Sequence, residues 1–375
     1  MALTIGVTRE RSPGEHRVAL VPETAKKFAA LGAQMRMEQS AGTDSHFLDS
    51  DYSDVSLVDG IREACSGAGL VLRVTPPSPE EIAALPEGST LIGLLKPFED
   101  PARLAALNAR KISAFALELL PRISRAQSMD ALSSQGACAG YQCGLIAAAR
   151  CTKFFPMLTT AAGTIRPARV LIIGAGVAGL QAIATCKRLG AMVEAYDVRS
   201  AAREQIESLG AKFVDTGVAA DGAGGYAREL TADEKAAQTE KLAKAVAMAD
   251  VVITTAAIPG KKAPIIITTD MIARMKYGAI IVDMAAESGG NCALTQPGEH
   301  VIANDVNIHG PLNLPSRMPT HASELYAKNI YNFIAPWIKD GELTFDWSDD
   351  VVAGTLLCKD GVTVHPVVKQ VFGEA

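Results

Sequence analysis

The chain has no charge excess that would mark a nucleic-acid surface: net charge is −5 at a pI of about 5.8, and its lysines and arginines are scattered. A polyanionic partner is therefore excluded. Its seven cysteines form no C-x-x-C pair, so they read as reduced thiols in a cytosolic protein. The six histidines are dispersed without metal-ligand spacing, and no metal site is expected. The longest uncharged apolar run, Val170 to Cys186, is short for a membrane span and is broken by glycines. No signal peptide is read before the strand that starts at Leu3, and repeats and low-complexity tracts are missing. What remains is a chain of 375 residues, 48% hydrophobic, for which about two domains is the natural expectation.

The chain is organised around Ala168 to Asp197. Ala168 and Val170 to Ile173 form a buried strand that runs into Gly174, Gly176 and Gly179 in G-x-G-x-x-G register. A helix follows, with Val177, Leu180, Ile183 and Ala184 at helical spacing and Gly190 as its left-handed cap. A second strand ends on Asp197. Gly174 permits the tight turn, Gly176 lets backbone approach a pyrophosphate, and Gly179 lets helix and strand pack closely. A carboxylate at Asp197 accepts from both ribose hydroxyls and repels a 2′-phosphate, so the spacing predicts NAD rather than NADP.

The first part of the chain alternates strand and helix: Leu3 to Val7, Pro22 to Gly32, Ala33 to Gln39, then helix Val58 to Cys65, strand Gly69 to Val74, helix Ser78 to Ala84, strand Ser89 to Leu95, helix Pro101 to Asn108 and strand Ile112 to Ala116. That rhythm means a parallel sheet covered on both faces. The fold class is thus α/β, with two Rossmann-like domains and the cofactor fingerprint only in the second. The expected boundaries are 1–132 plus 320–375 for a closing domain and 133–319 for the cofactor domain. A polar loop from Leu119 leads into a long Ala-rich helix expected to bridge the two. Gly217 to Gly225 reads as a mobile loop before a helix, with Tyr226 suited to a lid. Ser323 to Lys339 reads as a helix with Leu325, Ile330, Phe333, Ile334 and Trp337 on one face, and Asp360-Gly361 as a hairpin turn.

Candidate acid/base groups are few. His16, Arg17, Lys96 and Glu287 lie at strand ends or loops without forming a triad. Arg122, Arg125, Gln127, Asp130, Ser133 and Ser134 crowd the polar loop, where an Arg and an Asp could orient each other, although a polar linker with a surface ion pair accounts for the same residues.

The strings PRISRAQSMDALSSQ, GAGVAGLQAIATCKRLGA, YDVR, GGYARE, TTAAIPGKKAP, VDMAAESGGN and NLPSR together resemble, end to end, the NAD(H)-binding component of proton-translocating NAD(P) transhydrogenase. Through its R-x4-Q-x2-D loop, the resemblance implies that Arg122, Gln127, Asp130 and Ser133 hold the nicotinamide and its ribose. It assigns Gly174, Gly176, Val177 and Gly179 to the pyrophosphate turn and Asp197, Val198 and Arg199 to the adenosine. Gly225 and Tyr226 match the mobile loop, and Thr255, Ala256 and Ala257 the strand end lining the site. It further implies a homodimer attached peripherally to the membrane, NADP(H) on a partner subunit and separate membrane-spanning subunits, consistent with the lack of a span up to Ala375. The family is similar in fold to alanine dehydrogenase, whose Lys, His and Asp positions appear here as Thr75, Lys96 and Glu287, with the substrate-type arginine kept as Arg17. An amino-acid dehydrogenase and a non-catalytic NAD sensor stand as the alternatives.

Overall fold

The computed structural model describes residues 2–217, 231–257 and 260–372, with the backbone alone for 232–238. Two compact units divide it, Met1–Gln135 with Ser316–Ala375, and Gly136–Pro315.

In the first unit the strands line up as Val362–Thr363, Leu356–Lys359, Ser113–Ala116, Thr90–Gly93, Leu70–Leu72, Thr4–Val7, Gln34–Glu38 and Val55–Val58. All pair in parallel except the two that follow residue 355, which form an antiparallel edge. Leu70–Leu72, Thr90–Gly93 and Ser113–Ala116 are buried at every position, as strands covered on both faces must be. The helices open on prolines, Pro22, Pro79 and Pro101, whose missing N–H costs nothing in a first turn. Ser78 Oγ and Asp100 Oδ1 cap the last two by accepting from backbone N–H groups.

The stretch expected as one helix from Val58 to Cys65 is divided. Val58 closes the edge strand Val55–Val58, and Gly60 at φ +83 turns the chain into a single helical turn, Ile61–Ala64. The late helix spans Pro319–Ile334, begun by Pro319 and stopped before Pro336. Ile330, Phe333 and Ile334 face the core as expected, but Leu325 is 41% exposed and Tyr326 takes the inward position, donating to Arg73 O at 2.7 Å. Trp337 sits in a short 3-10 turn, only partly buried. The Asp360-Gly361 hairpin forms with both φ positive, as a type I′ turn requires.

This sheet has the strand order of a dinucleotide fold, but its switch point between Thr4–Val7 and Leu70–Leu72 is filled. Arg73 donates to Thr8 Oγ1 (2.9 Å), Glu81 (2.7 Å) and Glu10 (3.3 Å), all buried. Burial pushes the Glu10 carboxyl up against the pull of Arg73.

The second unit orders its strands as Lys212–Phe213, Met192–Tyr196, Arg169–Ile173, Val251–Thr254, Ile280–Asp283, Val306–His309 and His300–Ala303, the last alone antiparallel. The fingerprint helix is Val177–Arg188, and it turns a different face inward from the one expected. Ala178, Gly179, Ala182, Ile183 and Cys186 are buried, Val177 is exposed, and Leu180 and Ala184 are half-buried. The reason is close approach. On the helix Ala131–Arg150, a Cβ at Gly140 would lie 2.0 Å from Ala178 O, and one at Gly144 2.9 Å from Thr185 Cγ2. Contact at that range selects the smallest residues, not the largest apolar ones. Cys143 and Cys186 belong to the same core as Ala139 and Ala147. The hairpin Leu158–Thr160 with Gly163–Ile165 has no counterpart among the elements expected.

At the antiparallel edge His300 and His309 stack, ring centroids 4.2 Å apart. Burial, then His300 and Arg150, push the His309 pKa down to about 4. The unfolded chain takes this proton near pH 6.5 and the folded one does not. Stability is therefore full above that pH and falls as pH drops toward 4, by about 3 kcal/mol at most. Denaturant melts of wild type and His309→Gln between pH 7 and 4.5 are expected to converge as pH falls; parallel curves would remove His309 as the cause.

Candidate functional site

Arg169–Ile173 delivers the chain to Gly174, whose φ of +92 excludes a side chain. A Cβ there would lie 2.8 Å from Thr255 Oγ1, and Thr255 Oγ1 donates to Gly174 O at 2.9 Å, tying the turn to the end of Val251–Thr254. A Cβ on Gly179 would lie 1.8 Å from Gly174 O. Gly176 is the opposite case: its φ is −74, a Cβ would meet nothing within 4 Å, and no side chain caps the helix it starts. Unspent N–H donors below open space at a helix N-terminus fit a pyrophosphate. Turn and strand end also lie at the switch point of the sheet order, where α/β sheets bind ligands.

Asp197 follows Met192–Tyr196 and is buried. Its Oδ2 accepts from Ala175 N–H (2.7 Å) and an Arg199 terminal N–H (2.7 Å), and its Oδ1 from Arg199 N–H (2.9 Å) and Nε–H (2.8 Å). Burial raises its pKa, but the Arg199 fork and the two backbone donors outweigh that and hold the carboxyl below its ordinary range. The carboxylate expected to wait for ribose hydroxyls is therefore engaged by Arg199. Val198 packs against the adjoining core.

A buried polar lattice fixes the second strand end. Asn291 accepts from Ala256 N–H (3.0 Å) and donates to Ala256 O (2.8 Å) and Pro264 O (2.9 Å). Asn291 N–H in turn donates to Asp283, which also accepts from Thr254, Ala285, Cys292 and Thr295. Asp283 and Asn291 are fully buried, while Ala257 is exposed. Sequence reasoning singled out neither Asp283 nor Asn291; their only signal was the VDMAAESGGN string. Glu287 lies just beyond and accepts from Asn313 N–H. Gly225 and Tyr226 lie outside the described residues.

The other predicted group belongs to the first unit. Ser124–Met129 is a 3-10 turn, and Asp130 caps the following helix by accepting from Ser133 N–H (2.9 Å) and Ser133 Oγ (2.5 Å). The expected Arg–Asp pair within the loop is not what forms: Arg125 pairs with Asp349 at 2.9 Å. Arg122 and Gln127 are exposed. Asn329, which sequence reasoning missed, donates to Ser128 O at 2.9 Å and accepts from Ser134 Oγ at 2.6 Å, pinning the loop to Pro319–Ile334.

Arg17 is buried and closed. Glu15 grips it bidentately at 2.8 and 2.7 Å, Gln135 accepts from it at 2.8 Å, and Ser316 donates to Glu15 at 3.1 Å. Thr75 gives its hydroxyl to Glu10, Lys96 sits 3.2 Å from Glu99, and His16 is exposed. Among the described residues no group of three His, Cys, Asp or Glu side chains could hold a metal ion.

The alanine dehydrogenase/PNT N-terminal domain matches residues 6–139, and its C-terminal domain residues 143–366. The first of the polypeptides that make up NAD(P) transhydrogenase subunit alpha in Rhodospirillum rubrum is 45% identical, covering 98% of this chain and 99% of that one. The crystal structure of transhydrogenase from Sinorhizobium meliloti is 37% identical, with TM-score 0.86 over 97% of this chain and 99% of that one. An L-alanine dehydrogenase structure, 24% identical with TM-score 0.82 over 99% of both chains, shows the same fold. The α/β architecture, the glycine turn and these matches across both halves together make the chain a member of the alanine dehydrogenase/PNT family, within its NAD(P) transhydrogenase alpha subunits.

Proposed function

We propose that this chain is the NAD(H)-binding subunit of a proton-translocating NAD(P) transhydrogenase, giving hydride directly to, or taking it from, NADP(H) held on a partner subunit. The observation that carries the reading is the closed state of Arg17, whose guanidinium is spent on Glu15 and Gln135. An amino-acid dehydrogenase needs that arginine for a substrate carboxylate and a nearby group to move a proton. Hydride exchange between two nicotinamides needs neither.

In this reading Gly174, Gly176, Val177 and Gly179 take the pyrophosphate, and Asp197, Val198 and Arg199 the adenosine. Thr255, Ala256 and Ala257 line the site, with Gly225 and Tyr226 closing it. Arg122, Gln127, Asp130 and Ser133 orient the nicotinamide, which supplies the hydride when bound. The protein's contribution is then positioning and exclusion of water.

Membrane-spanning partner subunits couple the exchange to proton movement, and the chain attaches to them from the cytoplasm. This is supported by the absence, among the described residues, of a helix long and apolar enough to cross a membrane. The chain acts as a homodimer; the hairpin Leu158–Ile165, with exposed Phe154, Met157 and Ile165 on or beside it, offers apolar surface for a second copy.

The test is turnover of purified protein after NADH binding is established by fluorescence. No NADH oxidation is expected with pyruvate and ammonium, and transfer is expected once the NADP(H)-binding subunit is added. Gln127→Ala should cut that transfer by about a hundredfold with little change in NADH affinity, because its side chain is exposed and holds no helix together. Steady turnover with pyruvate would make the chain a self-contained dehydrogenase, and silence with the partner would make it a sensor.

A further inference from the structure

A carboxylate offers about four lone-pair directions, and at Asp197 Ala175 and Arg199 already fill them. Ribose hydroxyls cannot enter without displacing the Arg199 side chain. The pair is also electrically neutral, so the simple repulsion of a 2′-phosphate by a lone carboxylate does not describe this strand tip. Arg199 keeps part of its side chain at the surface, 26% exposed against 6% for Asp197. The next arginine, Arg203, is committed elsewhere, to Asp215 and to the face of Phe213. Arg199 is therefore the cation within reach of the ribose end. Its planar fork is of the kind that binds phosphate oxygens bidentately.

We infer that Arg199 is a specificity-determining residue: Asp197 favours a free 2′-hydroxyl largely by holding the Arg199 fork, which once released would receive a 2′-phosphate. Asp197 thus does two things, accepting from the ribose and withholding from NADP(H) the one group suited to it. Arg199 in turn blunts the repulsion that a bare carboxylate would exert. The inference rests on reading the glycine turn as the NAD(H) site.

NADH and NADPH affinities of the full chain, measured by fluorescence titration, test it. Wild-type protein is expected to bind NADH; failure there would overturn the site reading itself, separately from the role of Arg199. Asp197→Asn keeps an oxygen for Ala175 N–H and is expected to gain about tenfold or more in NADPH affinity while losing several-fold for NADH. Adding Arg199→Ala should abolish that NADPH gain. Arg199→Ala alone leaves the Ala175 bond in place and bares the carboxylate, so the preference for NADH over NADPH should widen by about fivefold or more. An Asp197→Asn protein with no NADPH gain, a gain that survives loss of Arg199, or an unchanged or narrowed preference in Arg199→Ala would each overturn the assignment. The single Arg199→Ala arm decides the matter even where Asp197→Asn does not fold.

Discussion

Gly176→Ala is expected to leave the protein folded and to weaken NADH binding by about a hundredfold, whereas Gly179→Ala is expected to destroy binding and destabilise the second unit together. The difference lies in what a methyl group meets. At Gly176 it meets no protein atom within 4 Å, on backbone at φ −74 and ψ −170 that alanine adopts freely. The only thing it obstructs is whatever approaches the turn, which in the proposed function is the pyrophosphate. At Gly179 the methyl carbon would sit 1.8 Å from Gly174 O and 3.0 Å from Thr255 Oγ1, so helix and turn must part by about an ångström or more. Gly174 cannot retreat, because a substituent there meets Thr255 in turn. A cost of about 3 kcal/mol or more is the scale of such overpacking. Thermal melts and NADH titrations of both variants measure the split. If Gly176→Ala bound NADH normally, the pyrophosphate would not lie over the turn.

Asp283→Ala is expected to lower stability by about 4–5 kcal/mol, or roughly 10–15 °C in the melting midpoint. The carboxylate is fully buried without a cation, and what stabilises its charge is a set of donors: Thr254 Oγ1 (2.8 Å), Asn291 N–H (2.8 Å), Cys292 N–H (3.0 Å), Thr295 Oγ1 (2.6 Å) and Ala285 N–H (3.2 Å). Gly289 and Gly290, at φ +102 and +80, turn the backbone so that its N–H groups reach the carboxylate, and a Cβ on Gly290 would lie 2.7 Å from Asp283 Oδ2. Alanine would leave every one of these donors buried and unpaired, each costing about 1–3 kcal/mol before water or local collapse compensates. Because Asn291 holds Ala256 at both its N–H and its carbonyl, the loss should spread to the strand end and weaken NADH binding about tenfold. A melt unchanged within about 1 kcal/mol would show that the lattice carries no such weight.

How far these features could be read in advance depends on the range of the forces that set them. The glycine turn was legible because each glycine answers a local geometric demand, and Gly174 at φ +92 and Gly179 beneath its carbonyl meet those demands. The buried face of the fingerprint helix was not, because it is chosen by contact with Gly140 and Gly144, distant in sequence, rather than by apolar spacing. Leu325 and Tyr326 exchange places for a similar reason: the tyrosine hydroxyl finds Arg73 O, a partner no periodicity marks. The position of Asp197 followed from the strand and glycine spacing. Its engagement did not, since a residue pair two apart is so common that its presence predicts nothing about geometry. The same holds for Arg17 and Glu15, where the identity of the arginine was plain and its closure by Glu15 and Gln135 was not.

The first unit is assembled from two pieces of chain separated by the whole of the second. Its core joins them intimately: Phe115 meets Phe333 edge-on at 5.5 Å, and Tyr326 donates to Arg73 O. During synthesis, residues 136–315 are complete before Ser316–Ala375 exists, so the inserted unit can finish folding while its host waits with half a core exposed. The sheet that begins at Thr4 is closed only when Leu356–Lys359 pairs with Ser113–Ala116. The first strand made thus belongs to the last structure finished, and nascent chains arrested before residue 316 should yield a protease-resistant second unit and a digestible amino-terminal segment.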